Sequence, residues 1–178
     1  ASNPIKLGLE KLKKRGAKFV AVNPVRTGYQ AIADEWIAIR PGTDGMFALA
    51  MVHVLLKNQL VDEEFLTRYT NAIQLVIQSP GKSNDGLLLR GEQGVPLVWD
   101  QVSRTFVKAD NADCAPALFG EYTTDEGVRV KTVMSLILEK YLCDEYSPEN
   151  AESICGVPAA DIERIALEMA HVAFKEKI

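Results

Sequence analysis

Along the first fifteen residues the apolar positions fall at helical spacing, with Ile5, Leu9 and Leu12 forming one stripe among lysines. Pro4 suits a first helical position and Gly16 a left-handed stop, so the pattern predicts a helix over 4–15. The run Phe19-Val20-Ala21-Val22 is apolar without alternation, as in a strand buried on both faces of a parallel sheet. A second such run, Trp36-Ile37-Ala38-Ile39, follows about fifteen residues later. Between Thr43 and Leu56 the apolar residues leave no polar stripe (Met46, Phe47, Leu49, Met51, Val52, Val54, Leu55, Leu56), which predicts a deeply buried helix. Asp62 reads as the N-cap of a short helix reaching Tyr69, with Val61 and Leu66 spaced as a hydrophobic staple.

The pattern changes between Ser79 and Thr124, where Gly, Pro, Asp and Asn are scattered through short apolar runs. Leu87-Leu88-Leu89 and Pro96-Leu97-Val98-Trp99, separated by Gly91-Glu92-Gln93-Gly94, predict a β-hairpin or meander inserted in the α/β body over 79–124. Helical spacing returns at Val133, Leu136, Ile137 and Tyr141, then Ser147-Pro148 opens a short helix that Gly156 ends. A last helix over 159–174 carries Ile162, Ile165, Ala166, Met169 and Ala173 on one face. The whole reads as a single three-layer α/β domain over 1–178, with a short parallel sheet, helices on both faces and an inserted β-rich arm.

Composition narrows the function classes. With 47% hydrophobic and 25% charged residues, the 178-residue chain is ordinary for a globular domain, and its formal net charge of -4 argues against a general nucleic-acid or anionic-membrane binder. The one dense basic run, Lys11 to Arg15, is short. No stretch of eighteen apolar residues predicts membrane insertion. Three cysteines, Cys114, Cys143 and Cys155, are too far apart for a zinc knuckle or a CxxC pair and read as free, buried thiols. His53 and His171 have no partner at ligand spacing, and Trp36 and Trp99 read as packing residues.

Ligands of open parallel sheets gather beyond the carboxyl ends of the strands. Two segments qualify. Asn23-Pro24-Val25-Arg26-Thr27 leaves the first strand with an amide, a guanidinium and a hydroxyl suited to ribose and phosphate. Arg40-Pro41-Gly42-Thr43-Asp44-Gly45 enters the buried helix, where glycines and helix-start amides allow close approach and the Asp44 carboxylate can accept from a guanine edge. Each residue also has a plainer use. Arg26 can pair with Asp34 or Glu35, Thr43 or Asp44 can cap the helix, and Asn23-Pro24 can form a turn.

The ordered strings SNP (2–4), RGAKFVAVNPVRT (15–27), AIADEWIAIRPGTDG (31–45), VDEEFLTRYTNA (61–72) and ICGVPAADIERIALEMA (154–170) resemble the molybdopterin-dependent oxidoreductases of the dimethyl sulfoxide reductase family. The resemblance covers residues 2 to 77 and 127 to 174. It implies a Rossmann-like domain that grips one of two molybdopterin guanine dinucleotides carrying molybdenum or tungsten. It also implies that Asn3 contacts the dinucleotide, that Asn23, Pro24, Val25, Arg26 and Thr27 line the guanosine and phosphate region, and that Gly42, Thr43 and Asp44 close over the nucleoside. Asn23 stands where the family more often has Asp.

The family's cysteine cluster for an iron–sulfur centre and its metal-ligating side chain belong to a region upstream of the one matched. The resemblance therefore implies a domain fragment of a prokaryotic catalytic subunit, with no catalytic or metal-ligating residue of its own and no cofactor bound by the fragment alone. Its expected partners are electron-transfer subunits and the remaining domains of the same large subunit. Redox chemistry would act on a small substrate such as formate, nitrate, thiosulfate or polysulfide. Two rivals remain: a stand-alone doubly wound nucleotide-binding protein, against which the lack of GxGxxG counts, and an interaction module with the hairpin as its contact arm.

Overall fold

The computed structural model describes residues 4–26, 28 and 32–175. Among them are six α-helices and seven short strands: α1 (Pro4–Lys14), β1 (Val20–Val22), β2 (Glu35–Ile37), α2 (Asp44–Lys57), α3 (Glu63–Tyr69), β3 (Leu75–Ile77), β4 (Leu97–Asp100), β5 (Thr105–Lys108), β6 (Glu121–Thr123), β7 (Arg129–Thr132), α4 (Val133–Tyr141), α5 (Pro148–Cys155) and α6 (Ala159–Lys175). The chain divides into two compact units, one of Ala1–Lys57 with Asp144–Ile178, the other of Asn58–Cys143. The β-rich segment expected over 79–124 lies inside the second unit, which is wider because β3 and β7, outside those bounds, pair with each other.

In the first unit β1 and β2 pair in parallel, Val20 opposite Glu35 and Val22 opposite Ile37, in line with their unalternating apolar runs. The second strand stops at Ile37 rather than Ile39 because its partner runs out. Asn23 N–H donates to the Ile37 carbonyl at 3.1 Å, and Pro24 has no N–H to continue the ladder. Ile37 and Ile39 join Phe47 and Ala50 of α2, Ala151 and Cys155 of α5, Val157, and Ile162 and Ile165 of α6 in one buried cluster, with Val20 and Val22 packed against it. All three thiols are free, but only Cys155 is the buried core residue expected; Cys114 is half-buried and Cys143, just past the end of α4, is exposed.

The helices stop where the sequence places their breakers. Gly16 follows α1 at φ 91°, Ser147 caps α5 by accepting from Asn150 N–H, and Gly156 closes α5 at φ 76°. Along α2, Phe47, Ala50, His53, Val54 and Leu56 are buried. Met46, Leu49, Met51, Val52 and Leu55 are only half-buried, so the helix lies less deep than its all-round apolar pattern predicts.

In the second unit β7 lies between β3 and β6, antiparallel to both, with Leu75 opposite Thr132 and Tyr122 opposite Val130. The partner of β4 is β5, through a four-residue turn, rather than Leu87–Leu89. That earlier run lies against β3, with Leu89 N–H donating to the Leu75 carbonyl and Ile77 N–H to the Leu87 carbonyl, and meets the start of β4 through Leu97 N–H to the Leu89 carbonyl and an antiparallel bridge between Arg90 and Pro96. Pro96, which lacks a donor, and the left-handed Gln93 at φ 64° break the ladder. Trp99 stacks on Tyr122 at 4.4 Å and meets Phe106 edge-on at 5.0 Å, over the buried Leu75, Ile77 and Val130. Trp99 is thus the packing residue its sequence predicted.

Candidate functional site

Because β1 and β2 run the same way side by side, the segments leaving them emerge at one edge of the pair, and both belong to the first unit. The first begins with a tight turn: Asn23 Oδ1 accepts from Val25 N–H at 3.0 Å, the self-bonding typical of Asn in turns. The turn reading of Asn23-Pro24 therefore holds, and because the turn uses the amide oxygen, the amide nitrogen of Asn23 keeps its role as a donor. Val25 is 58% exposed, so the tip of this turn presents an apolar side chain to its surroundings. The Arg26 guanidinium lies over the Trp36 ring, Cζ 5.1 Å from its centroid.

Asp34 and Glu35, the two carboxylates weighed as plainer partners for Arg26, each have strong partners of their own. Asp34 accepts from Phe19 N–H at 2.9 Å and lies 3.0 Å from Lys13 Nζ; the backbone bond first, and then the lysine, hold its pKa below the usual carboxylate range. Glu35 takes a two-pronged grip from Arg164, whose guanidinium also reaches Asp161 at 2.9 Å and Glu168 at 3.2 Å. Lys18 closes the network on Glu168 at 2.6 Å and on Glu35 at 3.4 Å. The carboxylates push the Arg164 and Lys18 pKa values up, Glu35 foremost for the arginine and Glu168 for the lysine. The network ties the start of β2 and the segment before β1 to α6, which fixes where the strand ends deliver their loops.

The second segment is held from the other side. Arg40 Nη1 donates to the carbonyls of Ser153 at 2.6 Å and Ile154 at 3.0 Å, and Arg40 N–H donates to the Cys155 carbonyl at 2.9 Å. These are orphan carbonyls at the end of α5, where a cation is favoured by the helix dipole. Pro41 and Gly42 then turn the chain. Gly42 adopts φ 80°, and Thr43 N–H returns to the Arg40 carbonyl at 3.3 Å. Thr43 occupies the capping position of α2: its carbonyl accepts from Phe47 N–H, while its hydroxyl donates to the Arg40 carbonyl at 2.7 Å. Asp44 is the first helical residue, exposed, with its carboxylate at the end where the N–H groups of α2 begin.

Of the residues singled out by sequence, Asn23, Pro24, Val25, Arg26, Gly42, Thr43 and Asp44 thus share one edge. Asn3 and Thr27 lie outside the described residues. Two participants were not foreseen as such, Arg40 as the anchor of the second loop and Trp36 as the support of Arg26. Neither carries a local signal, since each partner lies ten or more residues away. The Trp36 Nε1–H is buried without a hydrogen-bond acceptor among the described residues. Among the described residues no three His, Cys, Asp or Glu side chains gather as a metal site, and no helix is long and apolar enough to cross a membrane.

A family model described as molybdopterin oxidoreductase matches residues 5–175. The chain belongs to the molybdopterin oxidoreductase family. Among the relatives of this molybdopterin oxidoreductase chain, a sulfite dehydrogenase polypeptide of Allochromatium vinosum is 41% identical over 99% of the chain and 19% of that protein. A putative dimethyl sulfoxide reductase catalytic polypeptide of Halobacterium salinarum is 35% identical over 86% of the chain and 18% of that protein. The chain thus spans about a fifth of the length of these relatives. Acetylene hydratase from Pelobacter acetylenicus aligns with 94% of the chain and 14% of its own length, at 19% identity and a TM-score of 0.47.

Proposed function

We propose that this chain is the part of a molybdopterin oxidoreductase catalytic subunit that grips a guanine dinucleotide arm of a molybdenum or tungsten pterin cofactor. Its first unit is then the Rossmann-like, three-layer portion. The observation carrying this reading is the convergence of the 23–26 and 40–44 segments at the carboxyl edge of the parallel β1–β2 pair. The donor set there fits the group. A dinucleotide presents phosphate and ribose oxygens, which are acceptors. The edge offers the Asn23 amide, the Arg26 guanidinium and the N–H groups of the first turn of α2. The exposed Asp44 carboxylate supplies the complementary acceptor for the two N–H groups of a guanine edge. By resemblance Asn3 and Thr27 add to the same cradle.

When bound, the cofactor supplies redox chemistry at its metal; this chain's residues bind and orient its nucleotide end and supply no reacting group. The parent enzyme would act on a small substrate of the formate, nitrate, thiosulfate or polysulfide kind. An iron–sulfur centre, electron-transfer subunits and the other domains of the large subunit complete the proposal.

The test is the Asp44→Ala variant of the parent enzyme. A charge-assisted hydrogen bond to a guanine edge is worth about 1.5–3 kcal/mol, so cofactor retention should weaken roughly ten- to a hundredfold. As a helix-start carboxylate alone Asp44 contributes about 0.3–1 kcal/mol to folding and nothing to retention. Guanine nucleotide released on denaturation, counted per polypeptide, separates the two; an unchanged count removes Asp44 from the site.

A further inference from the structure

The apolar surface of α6 runs further along the helix than the cover its own unit provides. Ile162, Ile165, Ala166 and Ala170 are buried, the first two within the cluster shared with α2 and α5. At helical spacing the same stripe continues through Met169, Val172 and Ala173, yet Met169 is 58% and Val172 42% exposed. On the other flank of the stripe, the row that begins with Glu163 passes into Leu167 and Phe174, 36% and 50% exposed. One row stays polar, that of Arg164, Glu168 and His171. Arg164 and Glu168 are already engaged with each other and with Glu35, Asp161 and Lys18. A helix on a protein surface turns its polar side to water; between Leu167 and Phe174 the surface left unengaged is apolar instead. Large apolar side chains grouped in that way mark a contact surface.

Resting on the reading that the chain is one part of a larger catalytic subunit, we infer that the C-terminal half of α6 is a docking surface. Leu167, Met169, Val172 and Phe174 receive an apolar face of the same polypeptide from outside residues 1–178. The chain spans about a fifth of the length of its relatives, so most of such a subunit lies elsewhere and can cover this face. Segments joined in one polypeptide meet at high effective concentration, which favours them over a second copy. Permanent interfaces resemble a core cut in half, and a stripe that passes unbroken from buried to exposed residues has that form. Since α6 also packs on α2 and grips Glu35 at the start of β2, a partner seated here fixes the β1–β2 edge within the enzyme.

Two measurements on the parent enzyme test this. Peroxide oxidation of methionine, followed residue by residue with mass spectrometry, reads how open each thioether is, and the urea-unfolded enzyme supplies the open rate. Covered, Met169 should oxidise roughly tenfold or more slowly in the native enzyme than in the unfolded one, as the buried Met134 does; left open, it should stay within about twofold. The second is Phe174→p-benzoylphenylalanine, placed site-specifically and irradiated in the native enzyme, with the joined peptides identified. The expected product keeps the mass of one polypeptide and joins position 174 to a peptide outside 1–178. A peptide within 1–178, a species of doubled mass, attachment to a different subunit or no crosslink at all overturns the inference, as does a Met169 that oxidises near its unfolded rate. The guanine nucleotide count of Asp44→Ala depends on neither result, so this surface and the cofactor-gripping reading fail independently.

Discussion

Arg40 is the mechanical link between the second loop of the site and the rest of its unit, and removing it should have a measurable cost. Its guanidinium donates to two carbonyls at the end of α5, at 2.6 and 3.0 Å. In a dry interior two bonds from a charged donor would be worth about 3–6 kcal/mol. Arg40 is exposed, so after Arg40→Ala water can reach the freed carbonyls, and the expected loss is about 1–2 kcal/mol. For a chain of this size that lowers the unfolding midpoint by roughly 2–8 °C. Arg40→Lys restores charge at the helix end but a single donor point, so it should recover about half. Differential scanning calorimetry on the chain reads the midpoint. Amide exchange reports whether the loop itself loosens, because the backbone N–H at position 40, bonded to the Cys155 carbonyl at 2.9 Å, should exchange faster in the alanine variant. A midpoint within a degree of the parent, with that amide still protected, would refute the idea that α5 holds the loop.

Two further outcomes are expected. Ile162→Ala removes a fully buried side chain of α6 from the cluster shared with α2 and α5, and should destabilise by about 2–5 kcal/mol in urea unfolding, with cofactor retention in the parent falling only as far as the fold does. Asp100 accepts from Ser103 Oγ at 2.5 Å, Ser103 N–H at 2.8 Å and Ala115 N–H at 2.8 Å; these bonds, the serine hydroxyl foremost, hold its pKa at about 2. Since the folded value lies below the ordinary 3.8, Asp100 stabilises fully above about pH 4 and loses that contribution as the pH falls towards 2. Unfolding midpoints of Asp100→Asn should therefore show a flatter acid limb than the parent between those values, and identical slopes would contradict it.

Much of this protein was legible because its signals are local. Pro4 and Gly16, Asp62, Ser147 and Gly156 mark helix ends through backbone geometry and side-chain bonds that span a few residues, and all of them act as their residue types predict. The unalternating runs of β1 and β2 announced a parallel pair, and the resemblance of the motifs to the molybdopterin oxidoreductases agreed with the family match. That pairing alone brings the 23–26 and 40–44 segments to one edge.

The rest depended on partners distant in the chain. Leu75–Ile77 and Arg129–Thr132 are too short to show a period of two, and only their pairing across more than fifty residues makes them a sheet. Trp99 finds Tyr122 the same way. No spacing rule connects Arg164 to Glu35, Arg40 to the carbonyls of α5, or Arg26 to the ring of Trp36. The sequence determined where the backbone turns and which residues seek burial, because those preferences act within a few residues. Which charged and aromatic side chains meet was decided by tertiary packing, since long side chains have many possible partners until the backbone brings one within reach.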